Sequence, residues 1–426
     1  MKELFFFPKN GKLLKALSTS IINQGLSSVS NFAFGIYLVK ELTPSDFGFY
    51  GIALAISLFL AGLGNSVFLT QMVVNFGDKE EDDRLPYLAR MLAGLTLFSI
   101  VLVSITFILF LITSYAFQGE NLQTISFFST AIASLGFLYK DFFIRKSYTL
   151  QKESNAVIIN AWVAMSMLAI VFSLKLLKIE INSNYALLIY GGSNAIGAII
   201  GFTRSEISMK NLEFGKILID AKESWRGGGG WYVLVTIANA IQTQAHTITG
   251  ALLMGPIGVA TMNAAKLYLT PPFVLLPAIN QVILPRMVAQ RKNILSTKNT
   301  GYAVSLLLIF VTLAYIAPLV FFFEPISKLL TSGKYEDLDG TMYGWCFAAL
   351  MVAARSGAAL HNHAIKQFKK FFYASAISGF FSIIISFILI NIYGPIGGPI
   401  GLGLGEIVVI IILTRSNNKV AKDNQK

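Results

Sequence analysis

The chain has 426 residues, of which 54% are hydrophobic and only 13% are charged, and its formal net charge is +12. Soluble domains contain about 25% charged residues, so this composition excludes a water-soluble globular protein and indicates a polytopic membrane protein. The one cysteine, Cys346, excludes an intramolecular disulfide and a cysteine-based metal site. We expect no removable signal peptide, because the opening residues, MKELFFFPKNGKLLK, lack a small-residue cleavage site.

Apolar segments recur along the whole chain. A helix needs about 20 mostly apolar residues to cross a bilayer. Twelve segments meet this requirement: 16–38, 47–70, 88–112, 121–139, 156–174, 184–203, 231–254, 258–285, 302–323, 341–361, 371–390 and 395–414. The sequence therefore predicts an all-α polytopic membrane protein with twelve transmembrane helices.

The basic residues are unevenly divided between alternate connections. With the amino terminus in the cytoplasm, the inside segments hold 27 of the 34 Lys and Arg residues and the outside segments hold 5. The other two, Lys266 and Arg355, fall inside predicted spans. By the positive-inside rule, we expect both termini in the cytoplasm. The net charge then reflects topology and contact with anionic lipid, and we expect no nucleic-acid partner.

The second half of the sequence repeats features of the first half. "TPSDFGFYGIAL" (43–54) resembles "GPIGVATMNAAK" (255–266), and "NSVFLTQMV" (65–73) resembles "NQVILPRMV" (280–288). Because six is an even number of spans, two six-helix halves share one orientation and form parallel repeats. Transporters built from repeats bind substrate near the midplane, between the halves. We therefore expect a lobe at 1–226, ending in a cytoplasmic linker, and a lobe at 227–426, around a central cavity.

Polar residues follow one face of the first helix in each half. Their spacings of three and four residues place them on a single stripe per helix. The stripes contain Asn23, Ser27 and Asn31 in the first span, and Thr236, Asn239, Thr243, His246 and Gly250 in the seventh span. Because a polar stripe is costly against lipid, it should face protein or water. Interhelical hydrogen bonding and a substrate cavity lined by Asn23, Asn31, Asn239 and Thr243 both remain open.

Four ionisable residues lie at membrane depth in the second half. Lys266 is the one charge between Gly258 and Pro285, and a cation there costs at least about 2.5 kcal/mol. It is either a cavity-facing cation that binds substrate or a snorkelling or ion-paired side chain. Arg355 is a candidate phosphate or carboxylate ligand. Glu406 could pair with Lys266 or Arg355 or carry protons, and His246 could titrate near neutral pH; both are candidate coupling-ion residues.

Small residues recur at spacings of three or four positions in the last two spans. Gly397, Gly401 and Gly405 form one such seam, and Ser375, Ser378, Ser382 and Ser386 form another. Small residues at this spacing allow close helix approach, which predicts a packing interface.

Motifs for chemistry are missing from the sequence. It contains no GxxxxGK[ST] phosphate-binding loop, no nucleophile–base pair stands out, and its connections are short. We therefore expect a protein that is not an enzyme and that needs no cofactor or bound metal.

Two stretches resemble a known family. "STSIINQGLSSVSNFAFGIYLVKELTPSDFGFYGIALAI" and "GPIGVATMNAAKLYLTPPFVLLPAINQVILPRM" are similar to the Wzx-type polysaccharide flippases of the multidrug/oligosaccharidyl-lipid/polysaccharide exporter superfamily. Lys266 lies in the "NAAK" element, where such flippases often carry a basic residue. Arg355, His246 and Glu406 match no family motif, and their roles rest on position alone.

The resemblance implies a function in polysaccharide biosynthesis, such as that of O-antigen for lipopolysaccharide. It implies two six-helix bundles that move undecaprenyl-pyrophosphate-linked oligosaccharide from the inner to the outer leaflet of a bacterial inner membrane by alternating access. Protons or sodium could drive the cycle, and a polysaccharide polymerase complex is a possible partner. Two alternatives remain, a multidrug antiporter of the same superfamily and an integral-membrane polymerase or ligase.

Overall fold

A computed structural model describes residues 11–116, 127–210, 212–291, 293–331, 333–335, 337–365 and 367–423. Within these ranges the chain forms α-helices joined by short turns, and no strand occurs. In chain order the helices are α1 Gly11–Glu41, α2 Pro44–Gly64, α3 Thr70–Phe76, α4 Arg84–Ala116, α5 Phe127–Thr149, α6 Glu153–Leu176, α7 Ser183–Thr203, α8 Phe214–Ser224, α9 Gly230–Thr243, α10 Ala245–Leu267, α11 Thr270–Ala289, α12 Ile294–Phe321, α13 Phe323–Thr331, α14 Leu338–Ala364, α15 Phe368–Tyr393 and α16 Gly397–Asp423.

The helices include eight stretches that are long and apolar enough to cross a membrane. The longest of them, Lys369–Arg415, covers most of α15 and α16, which are joined by a turn at Gly394. Each predicted span falls on helix wherever the structure describes it, apart from single turns inside 231–254, 258–285 and 302–323. The predicted all-α polytopic membrane fold is therefore confirmed.

Two turns share the sequence GPIG, at 255–258 and 394–397. Gly255 has φ 65° and ψ −162°, and Gly394 has φ 67° and ψ −147°. Positive φ favours glycine, and proline is suited to the first turn of the helix that follows. The turn at Gly255 divides α10 in two, at the place where the sequence predicts the connection between the seventh and eighth spans.

The fourth predicted span ends too early. The sequence predicts its end at residue 139, whereas α5 continues to Thr149. Hydropathy falls at Lys140 and Asp141, yet the Lys140 side chain is buried, and Asp141 Oδ2 accepts a hydrogen bond from Asn65 Nδ2 at 3.0 Å. Tertiary contacts therefore keep charged residues inside a helix that hydropathy alone would terminate.

The helices group into two compact units. The carboxy-terminal unit contains Gly35–Gly51 and Ala238–Lys426, and the amino-terminal unit contains Asn10–Phe34 and Ile52–Ile237. The lobes predicted at 1–226 and 227–426 stay a prediction.

The predicted seam of small residues packs α15 against α16. Ser375, Ser378, Ser382 and Ser386 are all fully buried. The Ser378 hydroxyl donates to the Gly405 carbonyl at 2.7 Å, and the Ser386 hydroxyl donates to the Gly398 carbonyl at 3.2 Å. A side chain at Gly405 would collide with Ser382. The prediction of a packing interface is confirmed for this pair of helices.

Candidate functional site

Lys266 lies at the end of α10, within the carboxy-terminal unit. Eleven residues separate it from the turn at Gly255, which corresponds to roughly 16 Å of helix. Its side chain is half-buried, and Nζ lies 4.9 Å from the centre of the Trp345 ring. Within the described part of the chain, no carboxylate lies at ion-pair distance from Lys266. An indole face attracts a cation by about 2 kcal/mol when the contact is desolvated, so the ring offsets part of the cost of burying this charge.

Trp345 is a fixed platform for Lys266. The indole is 1% exposed, and its Nε1 donates to the Met262 carbonyl at 2.8 Å. His246 and Phe273 contact the ring edge-to-face, with ring centres 4.8 Å and 6.0 Å away. The ring has little freedom to move, so Lys266 is held at a defined position.

His246 belongs to the same cluster as Trp345 and is fully buried. Its Nε2 lies 3.2 Å from the Thr247 hydroxyl. Aromatic packing and this hydrogen bond hold the ring in place, and its predicted coupling role stays a prediction.

Arg355 and Glu406 form a buried ion pair between α14 and α16. Arg355 Nε lies 2.9 Å from Glu406 Oε2, and the side chains are 15% and 1% exposed. Of the two partners that the sequence allows for Glu406, the structure selects Arg355. The fully buried Gln242 amide lies beside the Glu406 carboxylate.

The polar stripe of the seventh span mixes packed and accessible groups. Asn239 and Thr243 are half-buried. The Thr243 hydroxyl donates to the Asn239 carbonyl at 2.8 Å, which is a bond within one helix. Gln242 and His246 face the interior on the neighbouring face, at a spacing of four residues. The buried Gln242 was missed because the predicted stripe passes through residue 243, although the spacing 239, 242, 246 is equally helical.

Asn23 and Asn31 lie in the amino-terminal unit. Asn23 is buried; it donates to the Tyr148 hydroxyl at 2.9 Å and accepts a hydrogen bond from Asn160 at 2.8 Å. Asn31 is exposed. The first stripe therefore combines interhelical hydrogen bonding at one end with an accessible amide at the other.

Two further features were not recognised in the sequence. Trp345 belongs to no periodic pattern or motif in the sequence, and only the folded chain brings α14 against Lys266. Asp141 and Arg145 were assigned to a connection, yet Arg145 Nε donates to Asp141 Oδ2 at 3.1 Å inside α5. Their spacing of four residues is a signal that the sequence does contain. Among the described residues, no group of three His, Cys, Asp or Glu side chains could hold a metal ion.

The fold is similar to those of solved membrane transporters. Lipid II flippase MurJ, in an inward closed conformation, matches with a TM-score of 0.65 at 17% identity, over 93% of this chain and 87% of that one. A multidrug resistance MATE family transporter of the MOP superfamily matches in its inward-facing conformation with a TM-score of 0.66 at 13% identity, over 95% and 98% of the two chains. An outward-facing MATE transporter gives 0.64 at 15% identity, over 96% of each chain. No family model and no curated protein matches the sequence. At these identities the likeness shows a shared fold.

Proposed function

We propose that this protein is a flippase that moves undecaprenyl-pyrophosphate-linked oligosaccharide repeat units from the inner to the outer leaflet of a bacterial inner membrane. The carrying observation is Lys266, a half-buried cation held over Trp345 with no carboxylate partner in the described part of the chain. A pyrophosphate group must cross a low-dielectric region, and a fixed cation offsets part of its desolvation cost. The chain shares its fold with a lipid II flippase and equally with multidrug MATE transporters, so the choice of substrate rests on the charge at Lys266.

The remaining residues supply binding and coupling in this proposal. Asn23, Asn31, Asn239 and Thr243 are candidate hydrogen-bonding partners for sugar hydroxyls. Arg355 is a second candidate cation for binding the substrate, and its charge is offset by the ion pair with Glu406. His246 and Glu406 are candidate carriers of a coupling proton or sodium ion. Each lobe works as one body in an alternating-access cycle, with both termini in the cytoplasm.

A multidrug antiporter of the same fold is the alternative. Such a protein would need acidic residues in its cavity to attract organic cations. Glu406 is the candidate carboxylate at membrane depth in the carboxy-terminal unit, and it is already paired with Arg355. Lys266 would repel a cationic drug. These charges support an anionic substrate.

Deleting the gene in its host tests the proposal. Surface polysaccharide should disappear while complete repeat units accumulate on the cytoplasmic leaflet. Single units that reach the outer leaflet and stay unpolymerised would identify a polymerase or ligase instead. Unchanged polysaccharide together with greater sensitivity to organic cations would identify an antiporter.

Lys266→Ala should abolish polysaccharide display while the protein level and membrane insertion stay normal. The matched control is Lys298→Ala, because Lys298 is also half-buried and lies 5.7 Å from the centre of the Tyr302 ring, outside the predicted spans. Display is measured on intact cells with an antibody to the polysaccharide. Full display in the Lys266 variant would reduce this residue to a structural role.

A further inference from the structure

The last ten residues of α5 concentrate positive charge in the amino-terminal unit. Lys140, Arg145 and Lys146 lie there with one carboxylate, Asp141. The stretch belongs to a helix that is long and apolar enough to span the membrane. Lys140 and Lys146 are 6% and 5% exposed, so their charges are poorly screened by water. Glu206 and Lys152, which pair with each other, also lie near Lys146. Four cations against two carboxylates leave a net positive charge at this end of the helix.

Arg145 is the accessible cation of this group. Its Nε donates to Asp141 Oδ2 at 3.1 Å, while the side chain remains 36% exposed. A guanidinium group carries five N–H donors in a planar fork that matches a phosphate. Because only Nε faces Asp141, the two terminal amino groups can meet an anion that approaches from solvent. Arg145 lies four residues before the last residue of α5, or roughly 6 Å along the helix.

A chain of hydrogen bonds fixes Asp141 behind Arg145. Asp141 Oδ2 accepts from Asn65 Nδ2 at 3.0 Å, and the Thr70 hydroxyl donates to Asn65 Oδ1 at 3.1 Å. Asn65 begins a π-helical turn, Asn65–Leu69, and such turns are frequent at functional sites. The carboxylate therefore orients the guanidinium and is itself held by Asn65, which Thr70 holds in turn.

The same face of α5 carries a tyrosine hydroxyl, that of Tyr148. Asp141, Arg145 and Tyr148 are spaced i, i+4, i+7, which is one helical stripe. The Tyr148 hydroxyl is joined to Asn23, and Asn23 to Asn160. Tyr148 therefore lies on the Arg145 face of the helix, and the buried Asn23 and Asn160 amides hold its hydroxyl in place.

We propose that Arg145 is an anion-binding residue that receives the phosphate group of the lipid-linked substrate, and that Asp141 is its positioning residue. The identity of the ligand rests on the proposed function, whereas the anion site itself does not.

Equilibrium dialysis with radiolabelled inorganic pyrophosphate, on the full chain in lipid nanodiscs, tests the site. Arg145→Gln should lose about 10- to 100-fold in affinity, because a charge-assisted bidentate contact is removed. Arg145→Lys should lose less, because a point charge remains. The matched control is Arg204→Gln, since the exposed Arg204 also uses Nε in one hydrogen bond, to Asn155 at 3.2 Å.

Equal affinity in wild type and Arg145→Gln overturns the proposal, as does an equal loss in the Arg204 control. Thermal unfolding is measured on each variant; if the glutamine variant does not fold, undiminished affinity in Arg145→Lys overturns the proposal instead. Movement of lipid-linked oligosaccharide in proteoliposomes is measured separately. If pyrophosphate binding requires Arg145 but the wild-type protein moves no lipid-linked oligosaccharide, the anion site is supported and the proposed function is rejected.

Discussion

Glu406→Gln removes the negative charge beside Arg355 with almost no change in side-chain size. The two groups lie 2.9 Å apart, and Glu406 is 1% exposed. Arg355 cannot lose its proton, so it would remain as a buried, uncompensated cation. Breaking a buried pair from one side costs about 3–5 kcal/mol. We therefore expect the free energy of unfolding to fall by an amount in this range.

Unfolding is followed in bicelles by titration with sodium dodecyl sulfate. The double variant Arg355→Met, Glu406→Gln removes both charges and should recover most of the loss, because replacing a whole buried pair is often neutral. The additivity of the two single changes then measures the coupling between the residues. A Glu406→Gln protein as stable as wild type would refute the idea that this contact is a stabilising ion pair.

The same double variant separates structural from coupling roles. If Glu406 carries a coupling proton, as proposed, the recovered protein should fold normally but lose the response of transport to a pH gradient. If the residue is only structural, transport in proteoliposomes should keep its dependence on the gradient.

Two further changes test packing and the amino-terminal unit. Gly405→Ala should destabilise the protein by about 1–3 kcal/mol, because the new Cβ would collide with Ser382 and overpacking forces neighbours to move. The control is Gly192→Ala in α7, where no atom lies within 4 Å of the added Cβ. This variant should be neutral or slightly stabilising in the same titration. Arg90→Gln should cost about 1.5–3 kcal/mol, because the 9% exposed Arg90 bridges Asp83 and Asp220. The control Lys216→Gln should lower the free energy of unfolding by at most about 1 kcal/mol, since its ion pair with Glu213 is exposed. Equal losses in the two variants would show that the Arg90 ion pairs stabilise the protein no more than an exposed pair does.

Hydropathy and turn-forming residues in the sequence determined where the helices of this protein begin and end. Each apolar segment is long enough to satisfy its own backbone hydrogen bonds in lipid, so it forms a helix wherever its neighbours lie. Gly255 and Gly394 mark turns because positive φ is accessible to glycine and the following proline begins the next helix. The seam of Ser382 and Gly405 was readable for a similar reason, since small residues at every fourth position create a smooth helix face.

The tertiary structure decided which charges meet. Nothing local in the sequence distinguishes Arg355 from Lys266 as the partner of Glu406, because the choice depends on the register between α14 and α16. The platform under Lys266 comes from Trp345, 79 positions away in the sequence. The continuation of α5 past residue 139 depends on Asn65, which gives Asp141 a hydrogen bond from another part of the fold. Hydropathy assigns each residue a single cost, whereas the cost of a buried charge is set by the groups that the fold places around it.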